Sequence, residues 1–242
     1  MKMQVIATAA WLAAFHCAAA PVDFVTEENP PLNFTKAGNV TGTGTEVLRA
    51  ALARAKVEGR FTVMPWAQAY AKAQASPQTC VYSTVRSPDR EKSFRWIGPV
   101  TQGVYSIYGL DGFTDNVTRV DDLRAYRIGV ARDARMNYLR NLKIDRIVEV
   151  EDDAAVPRML TADRQKEGGV DLWMGHAFGA IDKARDQGVA VKVVFASVMT
   201  QPYWLACNPA FPKDIAAKLD AAFSSLRADG SFQRLSDPDP MR

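Results

Sequence analysis

The sequence predicts an α/β fold of two lobes, each a mainly parallel sheet flanked by helices, with two hinge strands between them. Segments with the pattern of strands alternate with segments with the pattern of helices from residue 24 to residue 195. Extended stretches interrupt this alternation near residues 104 and 200, and the final helix follows the second of them. A chain that crosses to a second lobe and returns leaves a cleft between the lobes, where small ligands commonly bind.

The first lobe is predicted over residues 21–103. Its predicted strands are 24–26, 60–64 and 80–84. A first helix is predicted over 47–55, because apolar residues there recur on one helical face. Pro65 opens a second helix, which carries Trp66 and Tyr70.

The second lobe is predicted over residues 104–199. An extended stretch at 98–109 spans the joint between the two lobes. Its predicted strands are 127–130, 147–150, 170–174 and 189–195. Its predicted helices are a short one from 120, then 134–141, 153–160 with Asp153 as its cap, and 179–187. Residues 200–242 return to the first lobe through an extended segment at 203–207 and a helix that begins after Pro212.

The N-terminus predicts export from the cytoplasm. Residues 1–20 contain Lys2, an apolar run over 5–14 and a small-residue end over 17–20, which is the pattern of a secretory signal peptide. A lipid anchor on Cys17 is disfavoured by the bulky Phe15 and His16 before it. We therefore expect a periplasmic protein. The net charge of +3 over 242 residues, without a basic run, argues against a nucleic-acid partner.

Two cysteines, Cys80 and Cys207, remain after removal of the signal peptide. In an oxidising compartment such a pair is a candidate disulfide. The alternative is two buried free thiols, and the sequence alone does not place the two residues close together.

Residues 82–99 contain the first candidate binding feature. Ser87 and Pro88 have the residue types of a helix cap and first helical position, which predicts a helix start there. Arg90 falls in that first turn and Arg86 lies just before the cap. Two guanidinium groups beside free backbone N–H groups would bind an anion. The alternative is that both arginines lie on the surface and pair with neighbouring carboxylates.

Seven segments, taken in order, resemble the extracellular solute-binding proteins of family 3, the periplasmic binding proteins of amino-acid-type ABC transporters. The segments are 26–34, 65–66, 86–90, 94–99, 123–130, 170–173 and 217–230. The resemblance implies a type II periplasmic-binding-protein fold that closes on a small solute. It also implies an ABC transporter permease as partner, no enzymatic activity and no cofactor, and we expect a monomer.

The resemblance also implies roles for single residues. In members that bind amino acids, an arginine at the place of Arg90 holds the ligand carboxylate, and groups at the place of Ser83 assist it. Arg86 is an additional anion contact, and Arg135 belongs to a helix start that would face the cleft from the second lobe. Both cysteines fall on first-lobe strands, which favours a Cys80–Cys207 disulfide.

Two departures from the family pattern bear on the solute. His176 stands where amino-acid binders usually place an aspartate for the ligand ammonium group, and Asn29 stands where an aromatic residue often covers the ligand. These departures predict a carboxylate-bearing or otherwise anionic polar solute. Trp66 and Trp173 are further candidate contacts, with packing in the core as the alternative for each. His176 lacks the partner residues that a metal site would need.

Two other functions remain open. An exported enzyme on the same fold, such as a dehydratase or lyase, would need an acid or base in the cleft, for which Glu27, Glu28, Asp171 and His176 are the candidates. A sensor would act through a separate membrane receptor. Because no pair of candidate groups shows a catalytic spacing, the sequence favours a binding protein.

Overall fold

The computed structural model describes residues 21–162, 168–177 and 179–236. It shows a mixed α/β protein, which confirms the predicted fold class. The strands are β1 (Val22–Thr26), β2 (Phe34–Lys36), β3 (Asn39–Thr41), β4 (Gly59–Val63), β5 (Thr79–Val85), β6 (Arg95–Leu110), β7 (Ile128–Ala131), β8 (Ile147–Val150), β9 (Leu172–His176) and β10 (Val191–Cys207). The α-helices are α1 (Thr43–Ala55), α2 (Trp66–Ala75), α3 (Ala134–Asn141), α4 (Val156–Thr161), α5 (Ala180–Arg185), α6 (Lys213–Ala228) and α7 (Ser231–Ser236).

Eight of these strands form one sheet in the order β4-β1-β5-β10-β6-β9-β7-β8, and β2 pairs with β3 in a separate hairpin. The outer strands at both ends pair in parallel, whereas the central strands β6 and β10 are antiparallel to each other and to their neighbours. Most of the sequence-predicted strands and helices are present with small shifts at their ends, because the spacing of their apolar residues matches the face that each element buries.

The strands β6 and β10 lie next to each other in the middle of the sheet and pair from one end to the other. Val104 pairs with Thr200 and Tyr105 with Met199, so the two predicted joints between lobes lie opposite each other. The prediction of separate segments at 189–195 and 203–207 is wrong, because β10 is continuous over 191–207. The residues between these two predicted segments are also extended, because they pair with β6. The register of this pairing shifts on both sides of Phe195.

The buried apolar residues divide into separate clusters along the chain. The buried residues of two clusters lie within 22–97, 100 and 205–232. Those of the other two clusters lie within 105–199. Each group packs the helices of one end of the sheet against its own strands. Such separate cores are typical of domains linked by a hinge.

The predicted helix start at Ser87 and Pro88 is wrong. Backbone turns cover residues 87–91, with Arg90 N donating to Ser87 O at 3.0 Å, and a three-residue 3₁₀ turn follows at Glu91–Ser93. Only nine residues separate the end of β5 at Val85 from the start of β6 at Arg95. The chain crosses these nine residues through turns and one 3₁₀ turn instead of an α-helix.

The predicted disulfide is present, since Cys80 and Cys207 are bonded. The two residues are direct partners across the antiparallel strands β5 and β10. The predicted signal peptide, residues 1–20, lies outside the described residues. Within the described part of the chain, every helix is too short or too polar to cross a lipid bilayer.

Candidate functional site

A cavity of about 1250 Å³ lies against both long strands. One wall comes from the loop after β1, through Asn29, Pro30 and Pro31, and the floor includes Tyr105 of β6 and Tyr203 of β10. The opposite wall comes from the other half of the sheet. Its members are Asp133, Arg135, Asp153, Trp173, His176, Ala177, Gly179, Ala180, Ile181, Asp182, Lys183, Arg185, Asp186 and Gln187.

The loop that carries Asn29 is held by its own backbone. Asn29 N donates to Asn33 O at 2.7 Å, and Leu32 N donates to Asn29 O at 2.9 Å. Asn33 is fully buried and its Nδ2 donates to Glu27 O at 2.7 Å. These bonds give the polar loop a defined shape against the cavity.

Arg135 is the central charged group of the opposite wall and is only 4% exposed. Its Nη1 donates to Asp153 Oδ2 at 2.6 Å and to Met174 O at 2.9 Å, and its Nη2 donates to Asp133 Oδ2 at 2.7 Å. Burial alone would lower the pKa of Arg135, but the hydrogen bond to Asp133 and the charges of both carboxylates raise it above its ordinary value. Arg135 is therefore a fixed cation between two carboxylates.

The helix caps explain how Asp153 becomes available to Arg135. Asp133 caps α3 through its side chain, which accepts from Arg135 N at 2.9 Å, as residue types at this position predict. The sequence predicted Asp153 as the next cap, but this prediction is wrong. Asp152 takes that role, accepting from Ala154 N at 2.8 Å, so the carboxylate of Asp153 is free to bind Arg135.

The cavity floor is a pair of tyrosines. The hydroxyl groups of Tyr105 and Tyr203 are 2.5 Å apart and share a hydrogen bond, which joins β6 to β10. Burial raises the pKa of both phenols. Arg135 lies over the Tyr105 ring at 5.0 Å from its centroid, so the floor is continuous with the charged wall.

Trp173 and His176 lie on β9 and line the same cavity. The His176 ring packs edge-on against Tyr105, with 5.1 Å between the ring centroids. Trp173 packs against Tyr108 at 5.7 Å between centroids and is 1% exposed. The structure therefore brings together four predicted site residues, namely Asn29, Arg135, Trp173 and His176.

Arg90 and Trp66 form a separate group outside the residues that line this cavity. Arg90 Nη1 donates to Val85 O at 3.3 Å, and the guanidinium carbon lies 5.6 Å from the ring centroids of Trp66 and Tyr70. No carboxylate of the described residues pairs with Arg90. Solute contacts of Arg90 and Trp66 stay predictions.

Arg86 and Ser83 have different surroundings. Arg86 Nε and Nη2 donate to the carboxylate of Glu91 at 2.8 and 2.6 Å, which is the surface pairing that the sequence left as an alternative. This hydrogen bond raises the pKa of Arg86. Ser83 lies in β5 with a φ of 57°, and its Oγ is out of solvent with no hydrogen-bond partner in the described part of the chain. Their proposed solute contacts also stay predictions.

The candidate acids and bases, other than His176, lie outside the cavity lining. Glu28 accepts from Thr35 N at 3.1 Å through both carboxylate oxygens, and Asp171 accepts from Arg127 N at 2.8 Å. Burial raises the pKa of the Glu27 carboxyl. Among the described residues, no three His, Cys, Asp or Glu side chains are grouped to hold a metal ion.

Residues 23–238 match the family described as bacterial extracellular solute-binding proteins, family 3. The chain belongs to this family. The match covers most of the sequence and confirms the resemblance found in its ordered motifs. No curated protein sequence matches the chain significantly.

Three solved structures share the fold of this family member. The second substrate binding domain of a putative amino acid ABC transporter from Streptococcus pneumoniae Canada MDR_19A has a TM-score of 0.67 at 17% identity, over 90% of this chain and 98% of that one. A histidine kinase sensor domain with similarity to periplasmic binding proteins has a TM-score of 0.66 at 18% identity, over 89% of this chain and 94% of that one. An ancestral amino-acid-binding protein, a precursor of cyclohexadienyl dehydratase, has a TM-score of 0.60 at 16% identity, over 89% of this chain and 92% of that one. At these identities, the likeness shows the fold alone.

Sequence reasoning missed the roles of Asp153, Tyr105 and Tyr203 in the cavity. The tyrosines were visible only as apolar members of extended segments, and Asp153 had the pattern of a cap. Their contacts span 98 residues for the tyrosine pair and 18 for Arg135 with Asp153. The one available signal was the Asp133–Arg135 helix start, which the sequence placed at the cleft.

Proposed function

We propose that the protein is a periplasmic solute-binding protein that captures a small carboxylate-bearing or otherwise anionic polar solute between two lobes. It delivers this solute to an ABC transporter permease in the inner membrane. The cavity carries this proposal, because its walls come from both halves of the sheet and its floor from the paired strands that connect them. Closure of two such walls removes a bound solute from water and strengthens its polar contacts.

The charge of Arg90 supports the choice of an anion. Its guanidinium is half-buried beside two aromatic rings, and in the described part of the chain it has no carboxylate partner. A cation in such a position gains most from an anionic ligand, because a planar guanidinium binds a carboxylate through two parallel hydrogen bonds. Domain closure onto Arg90 is part of the proposal.

The first experiment identifies the solute. Native mass spectrometry of the full chain exported to the periplasm reports any co-purified small molecule, and calorimetry then measures its affinity. We expect Arg90→Ala to weaken binding by about 2–5 kcal/mol, because the buried anion loses its partner. Arg49→Ala is the matched control, since Arg49 also lies over an aromatic ring and donates to a backbone carbonyl, but it already pairs with the carboxylate of Glu46 at 3.8 Å. Equal affinity of Arg90→Ala and Arg49→Ala for the solute refutes the role of Arg90.

Two other functions have a specific observation in their favour. The likeness to a histidine kinase sensor domain supports a soluble ligand-sensing partner of a membrane receptor. The likeness to a precursor of a dehydratase supports an exported enzyme. Incubation of the identified solute with the protein, followed by NMR, separates these cases from transport. Conversion of the solute favours the enzyme, and loss of signalling without loss of uptake in a deletion strain favours the sensor.

A further inference from the structure

The floor of the cavity carries one hydrogen-bond donor without an acceptor. Tyr105 and Tyr203 have one hydroxyl hydrogen each, and the bond between their oxygens, which are 2.5 Å apart, uses only one of the two. Neither hydroxyl has a second hydrogen-bond partner among the described residues. Both side chains are buried and line the cavity. Because buried donors are nearly always paired with protein, water or a ligand, the second hydrogen indicates an acceptor that enters from the cavity.

Both phenols keep their hydrogens at neutral pH. Burial is the largest cause acting on each group, and it raises the pKa of Tyr105 and of Tyr203. The positive charge of Arg135 lowers both pKa values without reversing the shift. The pair is therefore neutral and has one hydrogen to donate. A neutral pair also avoids the repulsion that a phenolate would exert on an anionic solute.

The packing of the two rings holds the hydroxyl groups in place. A Cβ atom at Gly103 would lie 2.6 Å from Cε2 of Tyr203 and 3.0 Å from its hydroxyl oxygen, so the Tyr203 ring lies directly against the backbone of β6. The Tyr105 ring has the His176 ring at 5.1 Å and the guanidinium carbon of Arg135 at 5.0 Å from its centroid. A donor that is already held in place loses little conformational freedom when it binds a solute.

The tyrosine pair lies at the place where the two long strands pass from one half of the sheet to the other. Val104 pairs with Thr200 where the two predicted joints between lobes meet. Tyr105 directly follows Val104, and Tyr203 lies three positions after Thr200. Closure of two lobes turns their walls about the strands that link them, so a group on these strands moves least. A donor on the floor is therefore in position to contact a solute before the walls close.

We propose that the Tyr105–Tyr203 pair donates a hydrogen bond to an acceptor atom of the solute at the floor of the cavity. This inference rests on the proposed function and adds a specificity-determining group to it. The two hydroxyls are redundant, because removal of either one releases the other from the mutual bond with its hydrogen still available. Only the loss of both hydroxyls removes the donor.

The test begins with calorimetry on the full chain. L-glutamate, L-glutamine, L-arginine and succinate are the probes, and a co-purified solute takes their place if native mass spectrometry finds one. The probe that binds most tightly is then titrated into Tyr105→Phe, Tyr203→Phe and the double variant. We expect the affinity to fall by at most about threefold in each single variant and by at least about tenfold in the double variant.

Tyr138→Phe is the matched control. The Tyr138 hydroxyl donates to Val198 O of β10 at 2.6 Å, and Tyr138 lies outside the residues that line the cavity. The variant therefore removes a phenol hydroxyl that holds another element to β10 but does not face the solute. We expect its affinity for the probe to equal that of wild type. The control separates the loss of a tether on β10 from the loss of a donor.

Urea unfolding of the same variants separates a solute donor from a structural tie. Replacement of both tyrosines by phenylalanine leaves neither hydroxyl unpaired, so the double variant should keep the wild-type urea midpoint. Each single variant leaves one buried hydroxyl without its partner and should unfold at a lower urea concentration. The two orders therefore differ, because the single variants are the least stable and the double variant binds most weakly.

Two results would overturn the donor role and leave the proposed function intact. One is a double variant that binds the probe within about twofold of wild type. The other is a series in which affinities and urea midpoints fall in the same order, since the pair would then be a structural tie only. If none of the four probes binds and no solute co-purifies, the proposed function is refuted, and the donor role with it.

Discussion

Replacement of Arg135 by methionine should destabilise the protein strongly, and the structure indicates how much. The side chain of Arg135 is 5% exposed and holds three acceptors, namely Asp133, Asp153 and the carbonyl of Met174. Asp133 is 45% exposed and can turn to water, so its loss of a partner costs little. Asp153 is 16% exposed, so in the variant it becomes a mostly buried carboxylate without its arginine partner. Removal of one member of such a pair costs about 3–5 kcal/mol, most of it from Asp153.

The assay is equilibrium unfolding in urea at neutral pH, with the free energy of unfolding compared between variants. The double variant Arg135→Met with Asp153→Leu is the decisive companion, because it removes both buried charges. We expect it to recover most of the loss and to lie within about 1–2 kcal/mol of wild type. A loss below about 1 kcal/mol in the single variant, or a double variant no more stable than the single one, refutes the reasoning.

The remaining predictions concern the disulfide and the pKa of Glu27. Cys80→Ala with Cys207→Ala should lower the free energy of unfolding by about 5 kcal/mol in the chain-entropy estimate, since the bond closes a loop of 127 residues; a change below about 1 kcal/mol in urea unfolding would contradict it. Burial raises the pKa of Glu27 above its ordinary 4.5, so the folded protein holds this proton more tightly and loses stability as the pH rises from 4.5 through the folded pKa. Glu27→Gln should therefore be more stable than wild type at neutral pH and lose this advantage below pH 4.5. Thermal unfolding of both proteins across pH measures the difference. A stability advantage that is the same at all pH values would contradict a raised pKa of Glu27 in the folded protein.

The strands and helices were largely predictable because they depend on local spacing. The apolar positions of α1 and the alternation in β4 reflect which side each element buries, and proline marks the start of α2 and α6. The failures came where a tertiary constraint overrode a local signal. Ser87 and Pro88 have the residue types of a helix start, but the connection from β5 to β6 forms turns and a 3₁₀ turn. The polar middle of β10 is a strand because β6 lies beside it.

The site was predictable only to the extent that the order of the family's motifs along the chain placed residues at a cleft. Asn29, Arg135, Trp173 and His176 were expected at a cleft, and all four line the cavity. The partners of these residues were not predictable, because a charge in a sequence does not show which charge it will meet. Arg86 has Glu91 within its own turn, whereas Arg135 finds Asp153 only after the chain has passed through β8.

The sequence by itself determined the α/β class and the family, because these follow from local periodicity and from the order of short motifs along the chain. Only the tertiary structure decided the character of the binding wall. The choice of Asp152 as the cap left Asp153 for Arg135, and the register of β6 with β10 brought the hydroxyls of Tyr105 and Tyr203 together. Hydrogen bonds depend on distances of a few tenths of an ångström between residues far apart in the chain, and no local pattern encodes those distances.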